Sequence, residues 1–581
     1  MSTTDYDVVI IGGGPAGSTC GGFLAKYNPD LKVGIFEREI FPRDHVGESQ
    51  LPLISRVLNE LGAWDKIEAA GFPVKIGATY RWGKSDDLWD FNFIAHGAFA
   101  DEARPAKFEG QRLQTAFQVD RAVYDKILLD HAKELGCEVF EATGVRKVVQ
   151  EDDRIDHLVL DNGEIVRAKT YVDASGHAGV LRRAMGVEVS EPSTLKNIAI
   201  WDYWQSAEWA VSLGVGGTRV QVMSLGYGWI WFIPISETRT SVGFICPADY
   251  YKKTGLKPTE LYLKALAEEL RIASLLQNAT REEKLATTKD WSFLADRLAG
   301  KNWFLTGESA GFADPILAAG MTLSHVSAQE AACSILELGK GRDEWLKTQY
   351  DERNRRRILQ HIRFADYWYT ANGHFGELKE FTREIAKDAG LDLDANAAFR
   401  WLGTGGFVEE DLGLGGIAGF SLDCVHFISN RLSDEPPVSP IDGYSGFSLR
   451  LKDAERIEFA YYEQGRVIPV PAYRRDGKIL PLIGFFGWIV AGLQYSPSVE
   501  HAFQFIRAKL AEIGEPYDGY THSRLVQTLE AMARDGWVAC KKFQDGPLLS
   551  AVYGDGVGGG LIDENRDMEL PEERRAKHLV G

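Results

Sequence analysis

The segment YDVVIIGGGPAG, residues 6–17, decides the fold of the first part of the chain. Its first half is an apolar run rich in β-branched side chains, which is typical of a parallel strand buried on both faces. Gly12, Gly14 and Gly17 then give the GxGxxG spacing. In that pattern the first glycine makes a tight turn, the second lets a pyrophosphate approach the backbone, and the third lets a helix pack on the strand. We predict a helix over Ser18–Lys26 whose N-terminus binds phosphate.

A carboxylate follows the glycines at the distance that a dinucleotide site requires. A second strand is predicted over Lys32–Phe36, and it ends in Glu37, 20 residues after Gly17. A carboxylate at this place accepts hydrogen bonds from the ribose hydroxyls of a bound dinucleotide. The alternative is a glycine-rich turn that binds no nucleotide. Strand, glycines, helix and carboxylate together favour a Rossmann-like dinucleotide-binding domain.

Composition excludes several classes of protein. The chain has 581 residues, 45% of them hydrophobic and 25% charged, so we expect a globular protein of about three or four domains. The formal net charge of −18 argues against a nucleic-acid partner. No apolar run approaches about 18 residues, and no signal segment opens the chain, so we expect a cytoplasmic protein without membrane contact. The scattered cysteines form no CxxC pair and predict free thiols without a metal site: Cys20, Cys137, Cys246, Cys333, Cys424 and Cys540.

Three later segments resemble the FAD-dependent monooxygenase and halogenase superfamily. Residues 41–49 (FPRDHVGES) are similar to its loop beside the flavin, and residues 118–129 (QVDRAVYDKILL) to its V-x-R-x-x-F-D-x-x-L-L helix. Residues 306–315 (TGESAGFADP) are similar to its late G-D motif, with Glu308 where the superfamily usually has Asp. The resemblance implies bound FAD, held by Gly12, Gly14, Ala16, Gly17, Glu37, Arg43, Glu48, Ser49, Arg121, Asp173, Gly307, Glu308 and Pro315.

One motif separates halogenases from hydroxylases within this superfamily. Residues 228–234, GWIWFIP, match the G-W-x-W-x-I-P motif of flavin-dependent halogenases. Trp229 and Trp231 lie two residues apart, so in a strand both indoles point to one face. The resemblance implies that they separate the flavin from the organic substrate, and Pro234 would end the strand's hydrogen bonding. The alternative is a buried core strand with no role as a barrier.

A lysine completes the resemblance. Residues 74–83, VKIGATYRWG, are similar to the K-x-G-A stretch that carries the catalytic lysine of flavin-dependent halogenases. The alternation predicts that Lys75 shares a face with Gly77, Thr79 and Arg81, opposite Val74, Ile76, Ala78, Tyr80 and Trp82. A lysine amine can donate a hydrogen bond to hypohalous acid, or react with it to a haloamine, and desolvation would favour the second by lowering its pKa. The alternative is a solvated lysine without a catalytic role.

A small anion site is predicted beside the flavin. Residues 315–320 precede a helix predicted over Met321–Leu336, and the backbone N–H groups of Ala319 and Gly320 could bind chloride or bromide there. The tryptophan-halogenase branch has Glu-Ser where this chain has Leu317-Ala318, which argues against free tryptophan as substrate. The phenol and pyrrole branch often has a serine at the place of Ala318. The expected branch is that of phenols, pyrroles or carrier-protein substrates.

The sequence therefore predicts an FADH2- and O2-dependent halogenase. Hypohalous acid would reach Lys75, which delivers the halogen to an electron-rich aromatic or enolisable carbon, free or tethered to an acyl or peptidyl carrier protein. A separate NAD(P)H flavin reductase would supply FADH2. The alternatives are a flavin monooxygenase or flavin-dependent reductase of the same fold, and a flavoprotein that has lost its chemistry and acts as a binding module.

The predicted fold is α/β, with a discontinuous FAD-binding domain over 1–74, 110–190 and 291–345. A β-sheet substrate domain over 75–109 and 191–290 is inserted in it. A helical region over 346–435 follows, then a winged-helix-like or lid domain over 440–553 and a flexible tail over 554–581. An arginine cluster in the helical region is interpreted as a solvated helix face over packed aromatics, or alternatively as a docking face for an acidic carrier protein: Arg353, Arg355, Arg356, Arg357 and Arg363.

Overall fold

A computed structural model describes residues 5–93, 102–212, 216–289, 292–388, 432, 439–542 and 549. These residues form two compact units. The first holds the described residues up to 388 together with 462–467, and the second holds 432, 439–461, 468–542 and 549. Part of the predicted helical region (389–431 and 433–435), Cys424 and the predicted tail lie outside the described residues.

The first unit contains a parallel sheet of five strands. Their order is β19 (Trp303–Leu305), β10 (Ala168–Asp173), β1 (Tyr6–Ile11), β2 (Val33–Phe36) and β6 (Glu138–Phe140). Strand β1 lies at the centre because its apolar side chains are buried between neighbours on both sides. It runs through the glycine turn into α1 (Pro15–Tyr27), which begins with the proline that suits a first helical position. The α/β class is thereby confirmed.

A second, mostly antiparallel sheet of nine strands fills the other half of this unit. Its main order is β16 (Thr280–Arg281), β12 (Asn197–Gln205), β15 (Arg239–Pro247), β14 (Gly228–Pro234), β13 (Gly217–Leu225), β3 (Val74–Arg81) and β4 (Trp89–Asn92). Strand β17 (Ala286–Thr288) pairs with β12, and β5 (Ala116–Phe117) pairs with β3. The predicted domain boundaries stay a prediction.

A β-bulge interrupts the pairing of β3 with β13. Lys75 pairs with Thr218 and Gly77 pairs with Arg219, so Ile76 is an extra residue on β3. An extra residue in one strand shifts the alternation of its side chains relative to the partner strand. A glycine suits this place because a Cβ at Gly77, where φ is +159°, would collide with the backbone of β4.

The bulge corrects the predicted face of Lys75. The β13 partners of Lys75, Ala78 and Tyr80 are Thr218, Val220 and Val222, alternate residues that point to one face. Trp231 and Trp229 pair with Val222 and Ser224, so the two indoles lie on that same face. The prediction that Lys75 shares a face with Gly77, Thr79 and Arg81 is therefore wrong, because simple alternation allows no extra residue.

The opposite face of this sheet is covered by helices. Ile76, Ile230 and Phe232 pack there into a hydrophobic core with residues of α7 (Pro258–Glu268) and α8 (Leu270–Leu275). The remaining helices of the unit are α2 (Pro52–Leu61), α3 (Trp64–Ala69), α4 (Arg121–Glu134), α5 (Val180–Ala184), α6 (Ala248–Thr254), α9 (Gly320–Glu337), α10 (Asp343–Thr370) and α11 (Lys379–Asp388). Two sheets of three strands complete the unit. One contains β7 (Val145–Glu151), β8 (Arg154–Leu160) and β9 (Ile165–Val166). The other contains β11 (Val189–Ser190), β18 (Phe293–Ala295) and β20 (Gly311–Phe312).

A buried ion cluster joins α9 to α10. The Glu330 carboxylate of α9 accepts hydrogen bonds from Arg353 Nε at 3.1 Å, Arg357 Nη2 at 2.9 Å and Asn354 Nδ2 at 2.8 Å. Both arginines are buried, whereas Arg363 is exposed. The interpretation of the arginine cluster as one solvated or docking face is wrong for Arg353 and Arg357, because a partner distant in sequence draws them into the interior.

The second unit is a small α+β structure. Its strands β21 (Gly446–Leu449) and β25 (Val538–Lys541) pair with each other. A sheet of three contains β22 (Glu455–Glu463), β23 (Arg466–Arg475) and β24 (Lys478–Pro481), of which residues 462–467 are grouped with the first unit. Its helices are α12 (Gly484–Tyr495), α13 (Val499–Glu512) and α14 (Gly519–Arg534), which pack Phe485, Ile506 and Leu529 into one core. The winged-helix-like description of this unit stays a prediction.

Candidate functional site

The glycine turn after β1 leaves room for a ligand at one glycine only. A Cβ at Gly12, where φ is +104°, would collide with the Ala174 carbonyl, and a Cβ at Gly17 would collide with the Gly12 carbonyl. At Gly14 a Cβ would meet only Arg43 Nη2, at 3.5 Å. Gly12 and Gly17 are therefore required by packing, whereas Gly14 faces an open cradle of the kind that a pyrophosphate fills.

Glu37 is fixed at the end of β2. Its Oε2 accepts a hydrogen bond from Gly13 N at 2.7 Å, and its Oε1 accepts one from Glu39 N at 2.8 Å. Each carboxylate oxygen keeps a further lone pair. The buried carboxylate therefore lies at the glycine turn, where it could also accept from a ribose hydroxyl.

Arg121 ties the loop at residues 46–48 to α4. Its Nε and Nη2 donate to Asp125 at 2.7 and 2.9 Å, and its Nη1 donates to Val46 O and Gly47 O at 2.9 and 3.1 Å. Burial lowers the pKa of Arg121, but Asp125 above all, with Glu308 and Glu48, raises it to a value above the usual one. The guanidinium therefore stays charged and joins two of the motifs that the sequence singles out, residues 41–49 and 118–129.

The neighbouring loop contains polar groups that are buried without a protein partner. Glu48 accepts a hydrogen bond from Tyr203 Oη at 3.0 Å, and burial raises the pKa of its carboxyl to about 7. Next to it, within the described chain, the Ser49 hydroxyl and both polar atoms of the Gln118 side chain are buried and have no hydrogen-bond partner. Such groups are costly unless a ligand or water satisfies them. They fit a polar ring system such as isoalloxazine.

Gly307 and Asp173, both predicted to help hold FAD, contribute in different ways. Gly307, at φ +62°, lies against Ala16, since a Cβ there would be 3.0 Å from the Ala16 Cβ, so the G-D motif closes on α1. Asp173 Oδ1 accepts from the Ser175 N–H and hydroxyl, and its Oδ2 accepts from Leu181 N at 2.7 Å. The Asp173 carboxylate therefore shapes the turn that follows β10.

Trp229 and Trp231 lie side by side on β14, with ring centroids 6.1 Å apart. Trp231 Nε1 donates to Ser241 Oγ at 3.1 Å, and its ring covers Gly243 of β15, where a Cβ would collide with it. Pro234 ends β14 opposite Thr240. The two indoles thus form a continuous aromatic surface on the face that also carries Lys75.

Lys75 is only 2% exposed. Its Nζ donates to Gln50 O at 2.9 Å and lies 5.5 Å from the centroid of the Phe93 ring. Burial lowers the pKa of Lys75 to about 7. An amine in such surroundings exists in both protonation states near neutral pH, which suits a nucleophile or a proton donor.

The turn before α9 is shaped by Asp314. Its Oδ1 accepts from Ile316 N at 2.8 Å, which starts a short 3-10 turn over Pro315–Leu317. Ala318 then takes a left-handed conformation at φ +54°, and α9 begins at Gly320. The first N–H groups of a helix have no partner within it. The N–H group of Gly320, at the first position of α9, therefore has no partner within the helix.

An aromatic cluster that includes Tyr369 of α10 borders Trp229. Trp82 lies 6.3 Å from Trp229, 5.8 Å from Tyr369 and 5.4 Å from Phe375, between ring centroids.

Neither Tyr369 nor Asp314 is among the site residues predicted from the sequence. The Asp-Pro pair at 314–315 is a helix-start signal that could have indicated Asp314, whereas Tyr369 lies too far along the chain for any local signal.

Comparison with known proteins gives consistent matches. The family model described as tryptophan halogenase matches residues 7–111 and 94–377. A 1H-pyrrole-2-carbonyl-[peptidyl-carrier protein] chlorinase from Pseudomonas fluorescens is 32% identical over 385 residues, which cover 64% of this chain and 85% of that protein. A tryptophan 2-halogenase from Chondromyces crocatus is 32% identical over 342 residues, and the match covers 58% of this chain and only 62% of that protein.

A solved structure shares the fold over a longer stretch. The crystal structure of CmlS, a flavin-dependent halogenase, superimposes with a TM-score of 0.71 at 24% identity, covering 97% of this chain and all of that one. In the part of the chain that the structure describes, every helix is too short or too polar to serve as a membrane span.

Proposed function

Because the chain belongs to the tryptophan halogenase family, a family of flavin-dependent halogenating enzymes, we propose that it halogenates an electron-rich aromatic or enolisable carbon at the expense of FADH2 and O2. One observation carries the proposal. The buried amine of Lys75 lies on the same sheet face as Trp229 and Trp231, which the pairing of β3, β13 and β14 brings about.

FAD would lie along the glycine turn, with its phosphates over Gly14, a ribose near Glu37 and its ring system beside Ser49 and Gln118. When bound and reduced, FAD supplies two of the four electrons that O2 takes up, and the halide ion supplies the other two as it becomes hypohalous acid. The backbone at Ala319 and Gly320 would hold the halide, since N–H groups at a helix N-terminus attract an anion without a particular side chain.

Lys75 would carry the halogen to the substrate. Its neutral amine attacks the halogen of hypohalous acid, so that an N–halogen bond forms and water leaves. The aromatic carbon then takes the halogen, the ring loses a proton, and the amine is restored. Trp229 and Trp231 would keep the organic molecule away from the flavin, so that halide rather than substrate is oxidised.

The proposed substrate class is a phenol, a pyrrole or a related carbon acid, free or tethered to a carrier protein. Leu317-Ala318 lack the Glu-Ser pair of the tryptophan branch, and the chlorinase from Pseudomonas fluorescens is named for a pyrrole bound to a peptidyl carrier protein. A separate NAD(P)H-dependent flavin reductase would deliver FADH2.

A direct test supplies the protein with FAD, a flavin reductase, NADH, air and bromide, together with a panel of phenols, pyrroles and indoles. We expect bromine isotope patterns in the mass spectra of products, and none when bromide is omitted. An oxygenated product that forms equally well without halide would contradict the proposal and favour a monooxygenase.

The pH dependence of halogen transfer should follow the titration of Lys75. Burial sets the pKa of its ammonium to about 7, so the neutral amine that attacks halogen is lost about tenfold per pH unit below 7 and predominates above it. We expect product formation to rise through pH 7 and then level off. Initial rates of product formation between about pH 5.5 and 8.5, with bromide and saturating FADH2, measure this pH dependence. A rate that falls above pH 7 would contradict it and would support the ammonium as a hydrogen-bond donor.

A further inference from the structure

A hydrogen-bonded chain of three side chains connects the tryptophan strand to the turn before α9. Trp229 Nε1 donates to Tyr369 Oη at 2.6 Å, and Tyr369 Oη donates to Asp314 Oδ1 at 3.2 Å. Trp229 lies in β14, Tyr369 lies at the end of α10, and Asp314 directly precedes Pro315. These hydrogen bonds thus link β14 to the turn before α9, and hypohalous acid would pass between that strand and that turn.

The hydroxyl of Tyr369 provides a partner for the groups on both of its sides. All three side chains are buried, and a buried N–H or carboxylate oxygen without a partner is costly. Tyr369 Oη accepts from the indole and donates to the carboxylate, which a phenylalanine ring of nearly the same shape cannot do. Burial above all, together with the Asp314 carboxylate, holds the pKa of Tyr369 well above its usual value, so the hydroxyl keeps its proton.

Asp314, the acceptor at the end of these hydrogen bonds, also shapes the turn before α9 that we propose binds halide. The same Asp314 oxygen that accepts from Tyr369 accepts from Ile316 N at 2.8 Å, at the start of the 3-10 turn that leads to Ala319. The ring of Tyr369 is held in turn by Trp82, at 5.8 Å between centroids. The position of Asp314 is therefore set from two sides, by the turn and by α10.

We propose that Tyr369 is a positioning residue that holds Trp229 and the Asp314 turn at a fixed spacing and so keeps hypohalous acid from escaping before it reaches Lys75. This inference rests on the proposed function and extends it to the efficiency with which oxidant is used. Removing the hydroxyl frees Trp229 and the turn to move independently, so part of the oxidant is lost to solvent.

The test compares Tyr369→Phe with the parent enzyme and with Tyr350→Phe. Tyr350 lies on the same helix, is fully buried and donates to Leu305 O at 2.6 Å, so its variant loses a comparable hydrogen bond elsewhere. The first readout is halogenated product formed per O2 consumed, with escaping hypohalous acid trapped by a diketone scavenger. We expect Tyr369→Phe to lower this coupling about fivefold, the effect of one buried hydrogen bond, and Tyr350→Phe to leave it unchanged.

A second readout does not depend on activity. In protein labelled with nitrogen-15 tryptophan, the indole N–H resonance of Trp229, assigned with Trp229→Phe, should move and exchange faster with solvent in Tyr369→Phe but not in Tyr350→Phe. An unchanged resonance, unchanged coupling, or equal losses in both variants would overturn the positioning role. If the parent enzyme oxidises no halide, the proposed function is overturned, and the positioning role with it. If the parent is active but Tyr369→Phe behaves as the parent does, only the positioning role is overturned.

Discussion

Replacing Lys75 with methionine should lower the yield of halogenated product at least about 100-fold, the scale on which a catalytic group acts. Methionine is unbranched, flexible and apolar, so it refills the space of the buried lysine stem without its amine. Because the desolvated ammonium is lost, the variant should be no less stable than the parent. The protein should still bind FAD and consume NADH and O2 together with the reductase. The hypohalous acid that it releases should halogenate the diketone scavenger.

The matched control is Lys252→Met, which removes a lysine of α6 whose side chain is 74% exposed. It should halogenate as the parent does. Mass spectrometry of products and scavenger measures both variants in the same reaction. Product formation by Lys75→Met at the parent's rate would show that Lys75 does not transfer the halogen.

The second large effect concerns the glycine turn, where two alanine substitutions should act differently. Gly14→Ala adds a methyl group that meets only Arg43 Nη2, at 3.5 Å, so the fold should be kept. The methyl group occupies the cradle over the turn, and we expect FAD affinity to fall about 100-fold, which corresponds to roughly 3 kcal/mol of binding free energy. Gly17→Ala places its methyl group against the Gly12 carbonyl, so it should open the turn and destabilise the apoprotein as well.

Titration of each apoprotein with FAD, followed by flavin fluorescence, gives the affinities, and thermal unfolding by circular dichroism reports the fold. Gly376→Ala is the control, because nothing lies within 4 Å of its added Cβ. If Gly14→Ala bound FAD as tightly as this control, the pyrophosphate would have to lie elsewhere.

The parts of the site that depend on local sequence could be predicted. The strand and glycine turn after Tyr6 are where the spacing of apolar and glycine residues places them, and the helix predicted over Ser18–Lys26 begins three residues earlier, at Pro15. The shared face of Trp229 and Trp231 follows from a separation of two residues in a strand. Such features depend on neighbours in the chain alone, and so a single sequence contains them.

The parts that depend on partners distant in sequence could not be predicted. The face of Lys75 is set by the extra residue at Ile76, which exists only in relation to β13. Gly77 was a signal for it, since a glycine within a strand often marks a bulge. The burial of Arg357 requires Glu330, and the role of Tyr369 requires Trp229, contacts that no periodicity encodes.

The ion cluster around Glu330 joins α9 to α10 far from the turn that precedes α9. Glu330 lies ten residues along α9 from Gly320, or about 15 Å of helix, and Arg357 precedes Tyr369 by twelve residues of α10, about 18 Å. The other ends of these two helices carry the turn at Ala319 and Gly320 and the side chain of Tyr369. A substitution that loosened the cluster would therefore change the spacing of that turn and Tyr369, although it touches neither.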